Sequence, residues 1–406
     1  MQATDIIDHM TVYSDVCIIG GGAIGKAAAL ALARIGVRVS LVTPANSANK
    51  PVRSTHWDQR VYALNHVARG LLSSMKVWEA LDSTRIAAVD AIAVHGDGPS
   101  AGHIGFDAYA ARTNSLAWIV EDQNLNQALD NAIKFANGLQ IIQSTAVQLH
   151  TDQDYASVKL HDGSSIDASL IVGADGAQSW VRSQADIGID YRSYNQRAIV
   201  ANFSCENSHH GVASQWFLGE QGIVALLPLT GTRVSLVWSA PEKLAYTILQ
   251  EPPEQLCDRL AQLPGQTLGA FTMLPPTTPQ TIPLRFIRAG AMVANRVALI
   301  GDAGHVVHPL AGQGMNLGFG DIEGLLAAIA KRDRASDYGD ARTLARYARH
   351  RKEEVLLMQL TTDGLQRLFD TDLAPLKVLR NLGMTALDKL PFLKRQLMTH
   401  ALGRSS

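Results

Sequence analysis

Asp15-Val16-Cys17-Ile18-Ile19-Gly20-Gly21-Gly22-Ala23-Ile24-Gly25 is the stretch that decides the fold. Residues 15–20 form an apolar run of strand length that ends in glycine, and residues 24–35 form an Ala/Leu-rich run of helical length. Residues 37–42 alternate and read as a second strand, completing a compact βαβ unit. The turn between strand and helix matches G-x-G-x-x-G. Gly20 permits the tight turn, Gly22 lets the backbone approach a diphosphate, and Gly25 lets helix and strand pack closely. Ala23 and Ile24 open the helix, whose free N–H groups and positive dipole end favour an anion. One feature departs from the pattern. The second strand usually ends in an acid that binds a ribose, and here it runs into Thr43-Pro44, so Thr43 offers a single hydroxyl instead.

Two further glycine motifs follow apolar strands. Gly173-Ala174-Asp175-Gly176 is succeeded by Ser179 and Arg182. Gly301-Asp302-Ala303-Gly304-His305 continues through Val306, Val307, His308, Pro309, Leu310 and Ala311 to Gly312-Gln313-Gly314-Met315-Asn316-Leu317-Gly318. An Asp at the end of a buried strand is costly unless partnered. It is either a cap for the next helix or turn, or a ligand contact. The glycines around Gln313 and Asn316, just before an apolar helix, expose backbone N–H groups to something planar or anionic. If all three strand ends serve one nucleotide, its domain is interrupted by another.

The 406 residues suffice for two domains, and 47% hydrophobic with 18% charged residues means a globular chain. A net charge of −1 gives no sign of nucleic-acid binding. Cys17, Cys205 and Cys257 lie far apart with no metal-ligand spacing, which fits a reducing, cytoplasmic setting and no metal. No secretory leader and no apolar stretch of about 18 residues is read. Residues 1–14 are expected to be a loose polar leader, 59–82 a helix with Leu64, Val67, Leu71, Leu72 and Met75 on one face, and 121–136 a helix. A hairpin through Asp162-Gly163 is expected in 157–173, strands in 196–240 and 280–290, and helices over 314–332 and 340–369.

The three motifs, in this order and spacing, resemble the class A flavoprotein monooxygenases, relatives of p-hydroxybenzoate hydroxylase. The detail is similar to the ubiquinone-biosynthesis hydroxylases, the UbiH/UbiF/VisC group. Asp58-Gln59-Arg60-Val61-Tyr62-Ala63-Leu64, Trp118-Ile119-Val120-Glu121-Asp122 and the tail from Asn381-Leu382-Gly383 to Leu390-Pro391-Phe392-Leu393-Lys394-Arg395 carry that likeness. The resemblance implies an α/β fold: an interrupted Rossmann-like FAD-binding domain, a second, mainly antiparallel β-sheet substrate domain and a C-terminal helical tail. FAD-binding parts are expected at 13–85, 116–195 and 291–335, substrate-domain parts at 86–115 and 196–290, and the helical region at 336–406.

The resemblance also implies roles. Gly20, Gly22 and Gly25 would hold the FAD diphosphate, and Arg60 would reach the ribityl–diphosphate region. Gln123 sits near a polar FAD contact, Asp175 belongs to a motif tied to FAD and the nicotinamide, and Asp302 would bind a ribityl hydroxyl beside Gly301. The loop from Pro309 through Gly312, Gly314, Met315 and Asn316 to Leu317 would lie against the isoalloxazine ring. NAD(P)H would reduce the flavin, and a C4a-hydroperoxide formed with O2 would hydroxylate a phenol ring. His308, Pro309 and Gln313 are the candidates beside that chemistry, with a structural role as the alternative for His305 and His308. The implied substrate is a polyprenyl phenol or quinol of ubiquinone biosynthesis. A small soluble aromatic, or a non-catalytic scaffold subunit of a biosynthetic complex, are the alternatives. The basic, leucine-bearing segment 371–406 is expected to contact a membrane surface or partner proteins of that pathway.

Overall fold

The computed structural model describes residues 11–44, 56–96, 102–309 and 312–370. The strand Thr11–Ile19 lies between two parallel neighbours, Val39–Thr43 and Ser165–Gly173, and Val297–Leu299 pairs in parallel with Ser165–Gly173. Leu139–Gln143 extends this sheet beyond Val39–Thr43, and Val293–Ala294 closes the other side. The three glycine motifs therefore emerge side by side, at the carboxyl ends of adjacent parallel strands. That is where open α/β sheets bind nucleotides. Gly20 N–H donates to Val42 O at 3.0 Å, Ala174 N–H to Ile19 O at 2.8 Å, and Ile300 N–H to Gly173 O at 2.9 Å, which carries the hydrogen-bond ladder into the motifs themselves.

Helices cover this sheet. Ala23–Arg34 buries a nearly continuous alanine and leucine surface, and its small side chains let Asp122–Lys134 and Gln313–Ala330 pack against it. The helix Ala341–Asp370 packs on Gln313–Ala330 from outside. The second large sheet has nine strands, running from His305–Val306 through Gln280–Ala289, Ile189–Cys205, Arg233–Pro241, Ile223–Leu229, Val212–Phe217 and Ala91–His95 to His103–Asp107, with Phe271–Met273 beside Ile189–Cys205. Its pairs are antiparallel except for Val212–Phe217 with Ala91–His95. Its own core gathers Phe203, Trp216, Leu236, Trp238 and Phe271 under the helices Glu242–Gln250 and Pro253–Ala261.

Several local expectations change. Residues 59–82 are not one helix. Val61–Leu64 is a strand paired antiparallel with Ala117–Glu121, and the helix is only His66–Ser74, begun by Asn65, whose Oδ1 accepts the Ala68 N–H. The apolar face was real, but an N-cap in its midst divides it. Residues 11–14 belong to the first strand rather than to a loose leader. Ile86–Val89 joins the small sheet with Ala117–Glu121, whereas Ala91–His95 joins the large one. The long strand of the large sheet starts at Ile189, ahead of residue 196. The hairpin through Asp162-Gly163 forms, with Gly163 at φ +87°. The segment 371–406 and the loop residues Leu310 and Ala311 lie outside the described residues. No helix among the described residues is long and apolar enough to cross a membrane.

Phe203 is fully buried, with its ring perpendicular to Phe271 at 6.1 Å. Phe203→Ala is expected to cost about 3–5 kcal/mol of stability. In urea titrations this should lower the midpoint with an unchanged slope.

Candidate functional site

Close backbone approach explains the first motif. A Cβ on Gly20 would stand 2.2 Å from Ala174 O, and one on Gly25 would stand 1.9 Å from Gly20 O. Gly20 also takes φ +125°. Nothing lies within 4 Å of where a Gly22 Cβ would be, so that position faces open space. Gly22 caps the helix Ala23–Arg34 without any side-chain hydrogen bond, which leaves the helix start available to an anion.

Ile24, in the first turn of this helix, also has a packing task. Its side chain fills the space over Gly301 and Gly318, 3.3 Å and 2.8 Å from their notional Cβ positions, and so packs the first motif onto the third. Ala23 is likewise part of the core. Thr43 is buried, and its Oγ1 would stand 2.1 Å from a Cβ on Gly21. The residue that replaces the usual acid therefore packs against the glycine turn itself.

The second motif is largely self-contained. Ser179 Oγ donates to Asp175 Oδ1 at 2.5 Å, and Val181 N–H donates to Asp175 Oδ2 at 3.0 Å. Asp175 thus organises the turn before the short helix Trp180–Gln184, the capping alternative weighed above. Arg182 then donates to Ala303 O at 2.8 Å and Ala177 O at 3.0 Å, which ties the second motif to the third.

The third motif supplies the open acceptor. Gly301 takes φ +60°, and Asp302 follows it with an exposed carboxylate that accepts no hydrogen bond among the described residues. Desolvation raises the Asp302 pKa, against the pull of His305 and Arg60. Arg60 is also exposed. Desolvation works against its charge, but nearby Tyr62, Asp122, Asp302 and Asp58 raise its pKa on balance. Groups that solvent reaches yet protein crowds are the lining of a cleft. Asp58 sets this side of it, accepting the Arg60 N–H at 3.0 Å and the Gln123 N–H at 3.0 Å. Glu121, buried and gripped by Arg85, in turn accepts the Asp58 N–H.

The helix Gln313–Ala330 begins at Gly312, in the left-handed region at φ +65° and without a side-chain cap. A Cβ there would come 3.3 Å from that of Ala63, whereas Gly314 faces open space. Asn316 is buried. Its Oδ1 accepts the Asn65 N–H at 3.0 Å, and its Nδ2 donates to Ala63 O at 2.9 Å and Gln313 Oε1 at 3.4 Å. The Asn316 side chain therefore pins the helix start to the strand Val61–Leu64, and only its backbone is left for a ligand. Met315 packs partly into the main core.

His308 is 1% exposed, beside the partly buried Pro309. Its Nε2 lies 3.2 Å from Gln196 Oε1, an acceptor, so Nε2 carries the proton and Nδ1 has no hydrogen-bond partner among the described residues. The ring stands edge-on to Tyr194 at 5.0 Å. Burial lowers its pKa to about 4, although the Asp363 charge opposes this. His305 donates from Nε2 to Asp321 at 2.7 Å, which is a structural role. Asp321 and Arg351 were not among the expected site residues. The one signal for Asp321 was a lone acid deep in an apolar helix face.

The Gly22 helix start, the Gly314 helix start and the Asp302 carboxylate lie on neighbouring segments, linked by Ile24 over Gly301 and Gly318 and by the charge of Arg60 acting on Asp302. Residues 13–359 match the FAD-binding-domain family. The chain belongs to it. The chain is 35% identical to ubiquinone hydroxylase UbiL of Rhodospirillum rubrum, over 96% of this chain and 90% of that one. It is 32% identical to 3-demethoxyubiquinol 3-hydroxylase of Escherichia coli, over 96% and 98%. It falls in the ubiquinone-hydroxylase group of the FAD-dependent monooxygenases, and is an enzyme of that type using FAD with NAD(P)H. In fold it is similar to p-nitrophenol 4-monooxygenase PnpA from Pseudomonas putida, with TM-score 0.75 and 17% identity over 98% of this chain and 100% of that one. Klebsiella pneumoniae HpxO complexed with FAD and uric acid gives 0.73 and 19%, over 95% and 97%.

The residues of this flavoprotein's cleft fit FAD: the uncapped helix start at Gly22 would suit its diphosphate, and the unengaged Asp302 carboxylate would suit a hydroxyl. Asp302→Ala is expected to weaken FAD binding about 10- to 100-fold, the worth of a hydrogen bond to a charged group. Flavin fluorescence recovered on dilution measures it. His308 also links stability to pH. Its folded pKa lies below the unfolded value of about 6.5, so the unfolded state binds more protons between the two. Stability should fall as pH drops from about 6.5 towards 4, by up to about 3 kcal/mol, and His308→Gln should flatten that slope. An identical slope in the variant argues against this assignment.

Proposed function

We propose that this enzyme hydroxylates the aromatic ring of a polyprenyl phenol or quinol intermediate of ubiquinone biosynthesis. The observation that carries the reading is the near end-to-end similarity to two relatives named for ubiquinone or demethoxyubiquinol hydroxylation, together with the FAD cleft described above. Bound FAD, reduced by NAD(P)H, supplies the oxygen-transfer chemistry with O2.

The chain's own residues do the placing. Gly22 and the helix start behind it take the diphosphate, Arg60 adds positive charge, and Asp302 orients the ribityl chain. Gln123 lies on the side of the cleft that Asp58 organises. The start of Gln313–Ala330 around Gly314 would offer N–H groups and a positive dipole end to negative charge on the isoalloxazine ring, while the Gly312 N–H is already given to Pro309 O at 3.0 Å. Pro309 and Gln313, which flank the residues leading into that helix, would lie beside the ring. His308 stays neutral at physiological pH because burial penalises its protonated form, so its Nδ1 is a hydrogen-bond acceptor and a weak base. The discontinuous division into FAD-binding parts at 13–85, 116–195 and 291–335 belongs to the same proposal.

The helix Ala341–Asp370 carries exposed Leu356, Leu357 and Leu360 and leads into the basic, leucine-bearing segment 371–406. That combination supports peripheral contact with the membrane that holds a polyprenyl substrate. Deleting 371–406 is expected to abolish co-sedimentation with anionic liposomes.

The test of function is NAD(P)H oxidation by the yellow holoenzyme with short-chain prenyl phenols and, separately, simple hydroxybenzoates. The expected result is stimulation by the prenyl phenols and a product bearing one added oxygen atom. Equal or better turnover of hydroxybenzoates would make a small soluble aromatic the substrate. Protein that takes up no FAD would leave the scaffold alternative.

A further inference from the structure

Asp321 is fully buried in the middle of the helix Gln313–Ala330. Its Oδ2 accepts the Gly301 N–H at 2.8 Å and the His305 Nε2–H at 2.7 Å, and its Oδ1 accepts Arg351 Nε at 2.8 Å. Arg351, on the helix Ala341–Asp370, is 1% exposed. It also donates from Nη2 to Leu317 O at 3.1 Å and pairs through Nη1 with Glu354. The guanidinium can lie this close because residues 320 and 324 are glycine. A Cβ would stand 2.9 Å from Arg351 Nη2 at the first and 2.8 Å from Cδ at the second.

Stability alone is a poor reason for such a pair. Desolvating two charges costs several kcal/mol, and apolar replacements of similar volume are often neutral or better. What the pair does is geometric. It gathers at one point the Gly301–Ala303 turn, the strand His305–Val306 and the first turns of the helix that begins at Gly312. These segments carry the Asp302 carboxylate and the bare helix start. Asp302 has no hydrogen-bond partner of its own among the described residues, so its backbone alone aims it.

We propose that Asp321 and Arg351 are positioning residues for FAD: their ion pair sets the spacing between the Gly301–Ala303 turn and the start of Gln313–Ala330, so that the helix Ala341–Asp370 contributes to flavin affinity. This rests on the FAD reading of the cleft, and Asp302→Ala tests that reading separately.

The experiment replaces the pair together, Asp321→Asn with Arg351→Met, which removes both buried charges and leaves only the solvent-exposed Glu354 carboxylate without its arginine. FAD dissociation is measured by fluorescence on dilution of the holoenzyme, and the rise in Tm produced by saturating FAD is measured beside it. The expected result is an FAD dissociation constant raised about tenfold and a smaller FAD-induced rise in Tm, with Arg351→Lys intermediate because one ammonium cannot replace the guanidinium fork. Phe203→Ala, which weakens the remote core, should lower Tm without moving FAD affinity. Dissociation constants within about twofold of the wild type in both Asp321/Arg351 variants overturn the proposal, whatever happens to Tm. If the double variant does not fold, Arg351→Lys decides by the same criterion. An unchanged affinity in Asp302→Ala would instead remove the cleft reading and leave the ion pair a purely structural feature.

Discussion

The Gly25 Cα sits so near the Gly20 carbonyl that a single added methyl would stand 1.9 Å from the oxygen, and Gly20 itself is pressed against Ala174. This contact between the first helix, the first strand and the second motif sets the rest of the cleft. It lets Ile24 reach across to Gly301 and Gly318, and that places the third motif's turn and helix beside the first. Backbones this close leave no room for side chains between them. The positions left bare by the same geometry, Gly22 and Gly314, become the ones where a ligand can approach.

A second constraint is electrostatic. The cleft needs unengaged polar groups, the bare helix starts and the Asp302 carboxylate, whereas the surrounding protein tolerates buried charge only when it is partnered. The chain separates the two. Asp175, Asp58, Glu121 and Asp321 all spend their carboxylates on backbone N–H groups, hydroxyls or guanidiniums. Asp302 does not. Among these five carboxylates, the one without a hydrogen bond among the described residues is the one turned to the cleft.

The large antiparallel sheet is not an independent unit attached at one end. Gln59 Nε2 donates to Pro276 O and Thr278 O, Asn202 Nδ2 donates to Asp58 O, and Gln196 holds His308. Both sides of the flavin cleft are therefore braced against the sheet proposed to carry the substrate.

The glycine patterns at 20–25, 173–176 and 301–318 were legible because each follows an apolar strand, and local pattern dictates local turn geometry. From those came the α/β class and the order of the strands that carry the motifs. Which carboxylate faces a ligand was not legible. Asp175 and Asp302 stand in similar sequence settings, and only the tertiary structure shows that Ser179 and Val181 consume the first. The misread helix over 59–82 has the same origin, since Val61–Leu64 is held as a strand by Ala117–Glu121, a partner distant in sequence. The packing of Thr43 against Gly21 was likewise not legible, since it joins the end of the second strand to the first turn. The sequence by itself determined turns, periodicity and the order of motifs, because these depend on neighbours along the chain. The tertiary structure decided which polar groups are partnered, because hydrogen bonds such as Asp321 to Gly301 and Arg351 join residues that nothing in the local pattern brings together.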